Sequence, residues 1–223
     1  MNLEEKLRQL KQAAQKSTRD RELERLHKSE RLSLDQLALV ETLGIGAHAV
    51  ARSGLRAGED ALVVGAGPIG LAVVQFALAA EGRVRVLEVS PERREFVARF
   101  GVETLEAPDD RLADVVFDAT GNAAAMGQSP GRVAHGGRLV FVGLVQSQVS
   151  IDDPLFHRRE MTLFATRNSA GDFPRIIRMI EQGLIDTSPW ITHRCALSEV
   201  PLLFPGLPRE KRCIKAMIEV ANH

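Results

Sequence analysis

Gly65, Gly67 and Gly70 have the spacing of a loop that holds a phosphate group. They follow a short apolar run, residues 61–64, and precede apolar residues at helical spacing. In such a strand–turn–helix the first glycine permits a sharp turn and the second leaves room for a pyrophosphate against the backbone. The third lets the helix pack closely on the strand. The free N–H groups of the helix N-terminus then point at the anion.

Pro68 and Ile69 stand between the second and third glycines and begin the predicted helix. A proline suits the first helical turn, because an N–H at that position has no partner within the helix. Glycine-rich turns are common, so the pattern alone does not establish a phosphate site. The uncharged window from Leu62 to Ala80 is nearly long enough to span a bilayer. Its glycines, its proline and Gln75 favour a buried strand and helix instead.

An acidic residue, Glu88, ends the next apolar run and stands 18 residues after Gly70. An acid at the end of the second strand of a dinucleotide-binding fold is placed to bond the ribose hydroxyls of NAD. Its charge would also repel the 2′-phosphate of NADP. The sequence therefore predicts an NAD site formed by the glycine loop and Glu88. The alternative is that Glu88 only ends an edge strand in solvent.

The composition argues against several classes of protein. Apolar residues make up 44% of the 223 residues and charged residues 26%, as in soluble globular domains. Lys and Arg number 29, as do Asp and Glu, so no charge excess indicates nucleic acid or a membrane surface as a partner. Cys195 and Cys213 form no metal-binding or disulfide pattern. The charged N-terminus lacks the apolar region of a signal peptide, so we expect a cytoplasmic protein.

Alternating strands and helices must position these residues. The pattern predicts strands at 61–64, 84–89, 114–118, 138–143, 161–166 and 213–220, a weaker strand at 102–105, and helices at 68–80, 91–100 and 173–180. Ser33 and Gln36 form a capping box for an earlier helix, which Gly44-Ile-Gly46 loosens before it ends at Ser53-Gly54. Apolar runs that alternate with helical patterns predict an α/β fold with a doubly wound parallel sheet.

Residues 1–31 differ from the rest, since they are rich in charge and contain no glycine, proline or aromatic residue. Leu3, Leu7, Leu10 and Ala14 form a short helical stripe. We therefore predict a short helical N-terminal extension over 1–31 and a dinucleotide-binding Rossmann domain over 32–223. The extension is either a dimerisation or docking helix, or a solvated helical hairpin against the main domain.

From about Leu32 onward the sequence resembles the cofactor domain of medium-chain, zinc-type alcohol dehydrogenases. The resemblance is carried, in the family's order, by blocks that begin at Leu39, Gly54, Glu88, Asp118, Gly136, Ile191 and Ile214. Within the family the chain looks most like the polyol, threonine and sugar-acid dehydrogenases. The resemblance implies a Rossmann fold, NAD(H) as the ligand, and a homodimer formed through a sheet edge.

The resemblance also assigns cofactor contacts outside the glycine loop. Thr120 and Gly121, after the fourth strand, are implied near the nicotinamide ribose, and Leu144 and Val145, after the fifth, at the nicotinamide. Arg93 is implied near the adenosine, with a solvated helix residue as the alternative. The whole predicted cofactor-binding set is Gly65, Gly67, Pro68, Ile69, Gly70, Glu88, Arg93, Thr120, Gly121, Leu144 and Val145.

The sequence departs from the family at its metal site. Family members carry an N-terminal catalytic domain whose Cys and His bind the catalytic zinc, and those residues have no counterpart in the sequence. Glu41 matches a glutamate that some relatives place at or beside the zinc, but a Zn²⁺ ion needs three protein ligands. We therefore expect no zinc in this chain, keep Glu41 as a weak candidate, and identify no catalytic residue.

Three functions remain open from the sequence. The first is an NAD-binding domain of an alcohol or polyol dehydrogenase that performs no chemistry alone. The second is full NAD-dependent alcohol dehydrogenase activity, with a catalytic domain that is missing or separate. The third is a scaffold or oligomerisation module that keeps the fold for its sheet edge.

Overall fold

The computed structural model describes residues 31–169 and 171–220, which form seven α-helices and eight strands. The helices are α1 Leu34–Ser53, α2 Pro68–Ala79, α3 Pro91–Ala98, α4 Ala123–Gln128, α5 Asp153–Arg158, α6 Phe173–Glu181 and α7 Val200–Leu203. The strands are β1 Asp60–Val64, β2 Arg83–Leu87, β3 Glu103–Leu105, β4 Ala113–Asp118, β5 Val133–Phe141, β6 Thr162–Ala165, β7 Ile191–Ala196 and β8 Lys215–Glu219. The predicted extension falls almost wholly outside the described residues.

Six strands form one sheet in the order β3-β2-β1-β4-β5-β6, and every neighbouring pair is parallel. The strand order reverses beside β1, which lies between β2 and β4. In open sheets of this kind the crevice at the reversal is where ligands bind, at the carboxyl ends of the strands. The predicted α/β class and parallel Rossmann sheet are confirmed.

Apolar residues cover both faces of this sheet. Alternate residues of a strand point to opposite faces, and Val63 and Phe117 join the larger core with side chains of α1, α2 and α6. Leu62 and Val116 face the other side, where Leu155 of α5 packs against them. The sheet is therefore wound on both faces, and its interior strands are buried.

The first helix is continuous, which corrects the predicted interruption at Gly44-Ile-Gly46. The Ser33–Gln36 capping box is present at its start, and Gly54 ends it with φ 63°. A Cβ atom on Gly46 would lie 2.5 Å from the carbonyl carbon of Ala72 in α2. The glycines therefore let two helices approach closely, and tertiary packing outweighs the weak helical propensity of glycine.

Gln75 connects α2 to the chain that leaves the six-stranded sheet. Its side chain is 4% exposed, and its Nε2 donates to the Asp186 carbonyl at 2.8 Å while its Oε1 accepts from the Asp186 N–H at 2.7 Å. A primary amide has one acceptor oxygen and two N–H donors, so the side chain satisfies both backbone groups of Asp186. The segment that leads to β7 is thereby fixed to α2.

The C-terminal strands form a separate sheet. β7 pairs in parallel with β8, and these two strands make up the whole of that sheet in the described residues. The sequence analysis predicted the last strand but missed β7. Three consecutive polar residues, Thr192 to Arg194, interrupt the apolar pattern that a strand would show. The two strands are connected through α7, and we call residues 191–220 the C-terminal unit.

Several predicted boundaries differ by a few residues. β5 begins at Val133, five residues before its predicted start, and its register against β4 shifts between Ala113 and Val115. Gly136 has φ 66°, so this early part of the strand bends. β3 is a three-residue strand, in agreement with its weak pattern. Among residues 31–169 and 171–220, no helix combines the length and apolar content of a membrane span.

Ion pairs link neighbouring segments at the amino ends of the strands. The Arg83 guanidinium donates to both oxygens of Asp60 at 2.8 Å, and this hydrogen bond holds the pKa of the Asp60 carboxyl below its ordinary value of 3.8. Arg111 binds both Glu103 and Asp109, and these bonds raise the pKa of its guanidinium. This edge lies opposite the crevice, so its charges stabilise the sheet and do not line the predicted site.

Candidate cofactor site

The glycine loop and the β4 turn meet at the carboxyl edge of the sheet. Gly65 follows β1 with φ 93°, a conformation that an L-residue rarely adopts. A Cβ atom at this position would lie 3.3 Å from Thr120 Cγ2 and 3.4 Å from the Ala119 carbonyl carbon. The structure therefore brings Gly65 and Thr120, both predicted from sequence, into one crevice at the reversal of strand order.

Gly67 and Gly70 are glycines for different reasons. A Cβ atom on Gly70 would overlap the Gly65 carbonyl oxygen and lie 2.9 Å from its carbonyl carbon, so the fold itself requires this glycine. Gly67 has φ −69° and ψ 177°, which any residue adopts, and a Cβ atom there would have Arg93 Nη1 as its nearest neighbour, at 3.6 Å. The space above Gly67 is open to a ligand, and the fold does not require this glycine.

Gly67 is also the N-cap residue of α2, and Pro68 and Ile69 form its first turn. Having no side chain, Gly67 cannot accept hydrogen bonds from the N–H groups that begin the helix. Those groups have no partner within a helix and carry the positive end of its dipole. The loop therefore presents uncapped N–H donors beside an open backbone surface, which is the arrangement that a pyrophosphate fits.

Glu88 lies directly after β2 and turns back onto the glycine loop. Its Oε2 accepts from the Ala66 N–H at 2.7 Å, and its Oε1 accepts from the Ser90 N–H at 2.8 Å. β2 is an internal strand and Glu88 is 6% exposed, so the alternative of an acid in solvent on an edge strand is wrong. Each carboxylate oxygen has a further lone pair for a ribose hydroxyl.

Two arginines of α3 border the loop and have different surroundings. Arg94 is committed to the protein, since it donates to the carbonyl oxygens of Glu88 and Val89 and pairs with Glu106 at 3.1 Å. Arg93 is half-buried, and its Nη1 is the group that lies 3.6 Å from the Cβ position of Gly67. The structure therefore places the Arg93 guanidinium over the glycine loop, and not on a solvated face of the helix.

A buried carboxylate shapes the turn after β4. Asp118 is fully buried, and its Oδ1 accepts from the Thr120 N–H at 3.0 Å and from Thr120 Oγ1 at 2.6 Å. Ser129 donates to its second oxygen at 2.6 Å. Burial lowers the pKa of the nearby Arg132 guanidinium, and attraction to Asp118 opposes that change. Sequence reasoning named Thr120 but missed the carboxylate that holds it.

Gly121 and Gly143 bring the turns after β4 and β5 into contact. Gly121 has φ 59°, and a Cβ atom on Gly143 would overlap the Gly121 nitrogen and lie 3.0 Å from the Gly121 Cα. Leu144 follows and is 83% exposed, while Val145 beside it is half-buried. The predicted nicotinamide residues therefore stand next to the Gly121 turn at the same edge, and Leu144 is an apolar side chain without protein cover.

Val89 is a second exposed apolar residue that the sequence analysis missed. It follows Glu88 directly and is 78% exposed. An apolar side chain beside Glu88 offers a surface for a flat base. The sequence carried no signal for this exposure, because Val89 fell inside the predicted strand 84–89, where an apolar residue is expected.

The described residues do not form a metal centre. No group of three or more His, Cys, Asp or Glu side chains in residues 31–169 and 171–220 is arranged to hold a metal ion. Glu41 is half-buried in α1. His48, on the same helix, has its Nδ1 3.9 Å from Asp172 of the α6 N-terminus, so it packs between the two helices. The described residues therefore offer Zn²⁺ no set of three protein ligands.

Comparison with known proteins places this geometry in a family. A family described as "Zinc-binding dehydrogenase" matches residues 68–182, from the start of α2 to the end of α6. That range holds most of the crevice and just over half of the chain. The chain belongs to the zinc-binding dehydrogenase family. The resemblance stated from the sequence is thereby confirmed.

Individual members of the zinc-binding dehydrogenase family match only in part. L-galactonate-5-dehydrogenase of Escherichia coli K12 is 40% identical over 70% of this chain and 50% of its own length. Sorbitol dehydrogenase of Bacillus subtilis is 28% identical over 84% of the chain and 58% of its own. The crystal structure of Bacillus subtilis 2R,3R-butanediol dehydrogenase superposes with a TM-score of 0.80 at 27% identity, covering 87% of this chain and 60% of that one. The chain thus spans about half the length of the curated relatives it matches.

The same fold is known with nicotinamide cofactors bound. An Escherichia coli CFT073 alcohol dehydrogenase in complex with NADH has a TM-score of 0.79 at 21% identity. A zinc-binding dehydrogenase of Sinorhizobium meliloti bound to NADP has a TM-score of 0.73 at 24% identity. These two likenesses concern the fold, which is therefore one that accommodates either dinucleotide.

Proposed function

We propose that this chain is the NAD(H)-binding part of a cytoplasmic, zinc-type polyol or sugar-acid dehydrogenase. The observation that carries the proposal is the contrast between Gly70, which the fold requires, and Gly67, which it does not. A glycine that packing does not explain, at a helix N-terminus in the crevice of a doubly wound sheet, is explained by a pyrophosphate that needs its backbone bare.

The other proposed contacts lie along the carboxyl edge of the six-stranded sheet, in the order of the parts of a dinucleotide. The uncapped N–H groups of α2 and the Arg93 guanidinium neutralise the pyrophosphate, since both lie at Gly67. Glu88 accepts hydrogen bonds from the adenosine ribose, and Val89 covers one side of the adenine. The fixed carboxylate of Glu88 disfavours a 2′-phosphate, so NADH is preferred to NADPH.

The other half of the cofactor lies at the β4 and β5 turns. Thr120 and Gly121 line the nicotinamide ribose, and Leu144 and Val145 cover the nicotinamide ring. Asp118 holds Thr120 in place through two hydrogen bonds. When bound, NAD would accept the hydride. The described residues hold the cofactor in position and shelter it from water.

The described residues contribute cofactor binding and no evident proton or metal chemistry. Alcohol oxidation is therefore assigned to residues other than those described. We infer the substrate class from the names of the relatives. L-galactonate and 2-dehydro-3-deoxy-L-galactonate are sugar acids, and sorbitol is a polyol. As part of the same proposal, the chain forms a homodimer through a sheet edge.

Titration of the full chain with NADH by isothermal calorimetry tests the proposal. We expect one site per chain, binding in the micromolar range, and at least roughly tenfold weaker binding of NADPH. Absence of binding at millimolar NADH would refute the cofactor role and leave the scaffold function. Metal analysis that finds one tightly held zinc per chain would refute a chain that binds the cofactor but does no metal chemistry of its own.

A further inference from the structure

Arg132 has two buried nitrogens that lack a hydrogen-bond partner. It is the last residue of a short 3₁₀ helix, Ser129–Arg132, which lies between α4 and β5. Its Nε and Nη1 are buried, and neither donates to an acceptor in residues 31–169 and 171–220. The guanidinium group stays protonated in proteins, so loss of a proton does not remove these donors. A buried charge without hydrogen bonds needs an opposite charge nearby.

The shape of the 3₁₀ helix directs Arg132 toward Asp118. A 3₁₀ helix has about three residues per turn, so side chains three positions apart leave it on the same side. Ser129 stands three positions before Arg132, and its hydroxyl donates to Asp118 Oδ2 at 2.6 Å. Arg132 therefore lies one turn along the face that contacts Asp118. Burial lowers the pKa of Arg132, and attraction to Asp118 is the influence that opposes this change.

Asp118 needs a positive charge that its hydrogen bonds do not provide. It is fully buried, and it accepts from the Thr120 N–H, the Thr120 hydroxyl and the Ser129 hydroxyl, which are all neutral. Neutral donors offset only part of the cost of burying a charge, and an opposite charge nearby offsets more. Arg132 is the cation that the 3₁₀ helix brings to this carboxylate.

A second arginine occupies the backbone acceptors beside Arg132. Arg159 Nη1 donates to the carbonyl oxygen of Gly131 at 3.1 Å and to that of Val133 at 2.7 Å. These two residues flank Arg132 in the chain. Arg159 carries a like charge, so it repels Arg132 and cannot serve as its partner. The buried carboxylate of Asp118 remains the counter-charge.

The Thr120 hydroxyl connects Asp118 to the crevice. Thr120 Oγ1 donates its proton to Asp118 Oδ1 at 2.6 Å and accepts from the Asn122 N–H at 3.1 Å. A hydroxyl oxygen has two lone pairs, so one of them stays available to a hydroxyl of a ligand. This arrangement needs an acceptor at each oxygen of Asp118, and an ionised carboxylate provides both.

We propose that Arg132 is the counter-charge of Asp118 and, through it, a positioning residue for the turn that holds the nicotinamide ribose. Arg132 stabilises the carboxylate form of Asp118, and this carboxylate fixes the Thr120 hydroxyl as an acceptor for a ribose hydroxyl. The positioning rests on the proposed function, whereas the charge pairing does not depend on it.

Calorimetric titration of the full chain with NADH and with ADP tests the positioning. ADP carries the adenosine and the pyrophosphate but lacks the nicotinamide ribose. For Arg132→Met we expect NADH affinity to fall about tenfold and ADP affinity to stay unchanged. Arg132→Lys keeps the charge on a long side chain and should bind NADH nearly as the wild type does. Arg158→Met, the matched control, removes an exposed arginine of α5 and should change neither affinity.

Urea denaturation without cofactor tests the charge pairing. Arg132→Met leaves the Asp118 carboxylate without its counter-charge, and Asp118→Asn does the same to the guanidinium, so each variant should unfold more readily. Neither charge remains in the double variant. We expect its unfolding equilibrium constant to be at least about tenfold smaller than the product of the two single effects. If Arg132→Met alone does not fold, a folded double variant supports the pairing and an unfolded one refutes it.

Other results would also overturn the inference. Equal weakening of NADH and ADP binding by Arg132→Met would show a general structural effect, and an Arg132→Lys variant as weak as Arg132→Met would show that the charge does not matter. Single effects that simply multiply in the double variant would refute the pairing. A wild type that does not bind NADH would refute the proposed function and the positioning with it, while the urea measurements would still decide the pairing.

Discussion

Gly67→Ser separates what the glycine loop does for the fold from what it does for the ligand. The backbone at Gly67, with φ −69° and ψ 177°, is extended and accepts serine without strain. The nearest atom to a new Cβ is Arg93 Nη1 at 3.6 Å, an ordinary contact at the end of a flexible side chain. The substitution therefore adds a side chain only to the space that the pyrophosphate is proposed to occupy.

The expected effect on the free chain is stabilisation. Replacing a glycine at a compatible backbone conformation gains about 0.4–1 kcal/mol by restricting the unfolded chain. Serine at an N-cap position gains a few tenths of a kcal/mol over glycine by accepting a hydrogen bond from the first helical turn. Together these contributions raise the melting temperature by roughly 2–4 °C for a chain of this size.

The expected effect on cofactor binding has the opposite sign. The serine hydroxyl bonds the N–H groups that the pyrophosphate needs, and its Cβ occupies the bare backbone surface. We expect NADH affinity to fall at least about tenfold, or 1.4 kcal/mol. At a concentration of NADH about 100 times the wild-type Kd, the wild type gains about 2.7 kcal/mol of stability and a variant that binds tenfold more weakly gains about 1.4 kcal/mol, so NADH cancels or reverses the difference between the two melting temperatures.

Scanning calorimetry with and without NADH measures both effects on one sample. Gly131→Ser is the matched control, because a Cβ atom at Gly131 meets no atom within 4 Å and the residue lies away from the crevice. It should leave the response to NADH unchanged. A Gly67→Ser variant less stable than the wild type without NADH would contradict the loop geometry. Equal stabilisation of both proteins by NADH would show that the pyrophosphate does not lie on Gly67.

Four further substitutions address the rest of the structure. Gly70→Ala forces a methyl group against the Gly65 carbonyl and should cost about 1–3 kcal/mol in urea denaturation, whether or not NADH is present. Glu88→Gln leaves the amide oxygen to serve two backbone N–H groups, so we expect a loss of about 1–3 kcal/mol in the same assay and a smaller preference for NADH over NADPH. Arg93→Gln should weaken binding of ADP-ribose but leave that of adenosine unchanged in calorimetry, and equal weakening of both would place Arg93 at the adenosine. Because hydrogen bonding to Arg83 lowers the pKa of Asp60 below 3.8, the pair stabilises the fold above about pH 4 and is lost as the pH falls further. The stability difference between the wild type and Asp60→Asn should therefore shrink from pH 5 to pH 2 in acid unfolding curves, and a constant difference would contradict it.

The parallel sheet and the glycine loop could be predicted from the sequence because their signals are local. Each buried strand is a continuous apolar run, and the spacing of Gly65, Gly67 and Gly70 follows from backbone geometry alone. The continuity of α1 could not be predicted in this way. Gly46 weakens a helix in isolation, and only the contact with Ala72, 26 residues away, shows why glycine is needed there.

The sequence indicated which residues lie together at the crevice, but not how they are hydrogen-bonded. Glu88 and Thr120 were named from their places after strands, which sequence order reveals. That Glu88 binds the Ala66 N–H, and that Asp118 holds Thr120, depends on side-chain directions that spacing does not fix. β7 was missed because its consecutive polar residues, with His193 among them, lack the apolar run that marked the other strands.

The bond between Gln75 and Asp186 has a consequence for the order of folding. It joins residues 111 positions apart, so its formation closes a long loop and costs chain entropy that a single side-chain contact does not offset. The strands between these residues must pair first. The C-terminal unit therefore takes its place last, and a nascent or partly unfolded chain exposes its apolar side chains longest. Aggregation during refolding should begin there, and pulsed hydrogen exchange should find β7 and β8 among the last segments to gain protection.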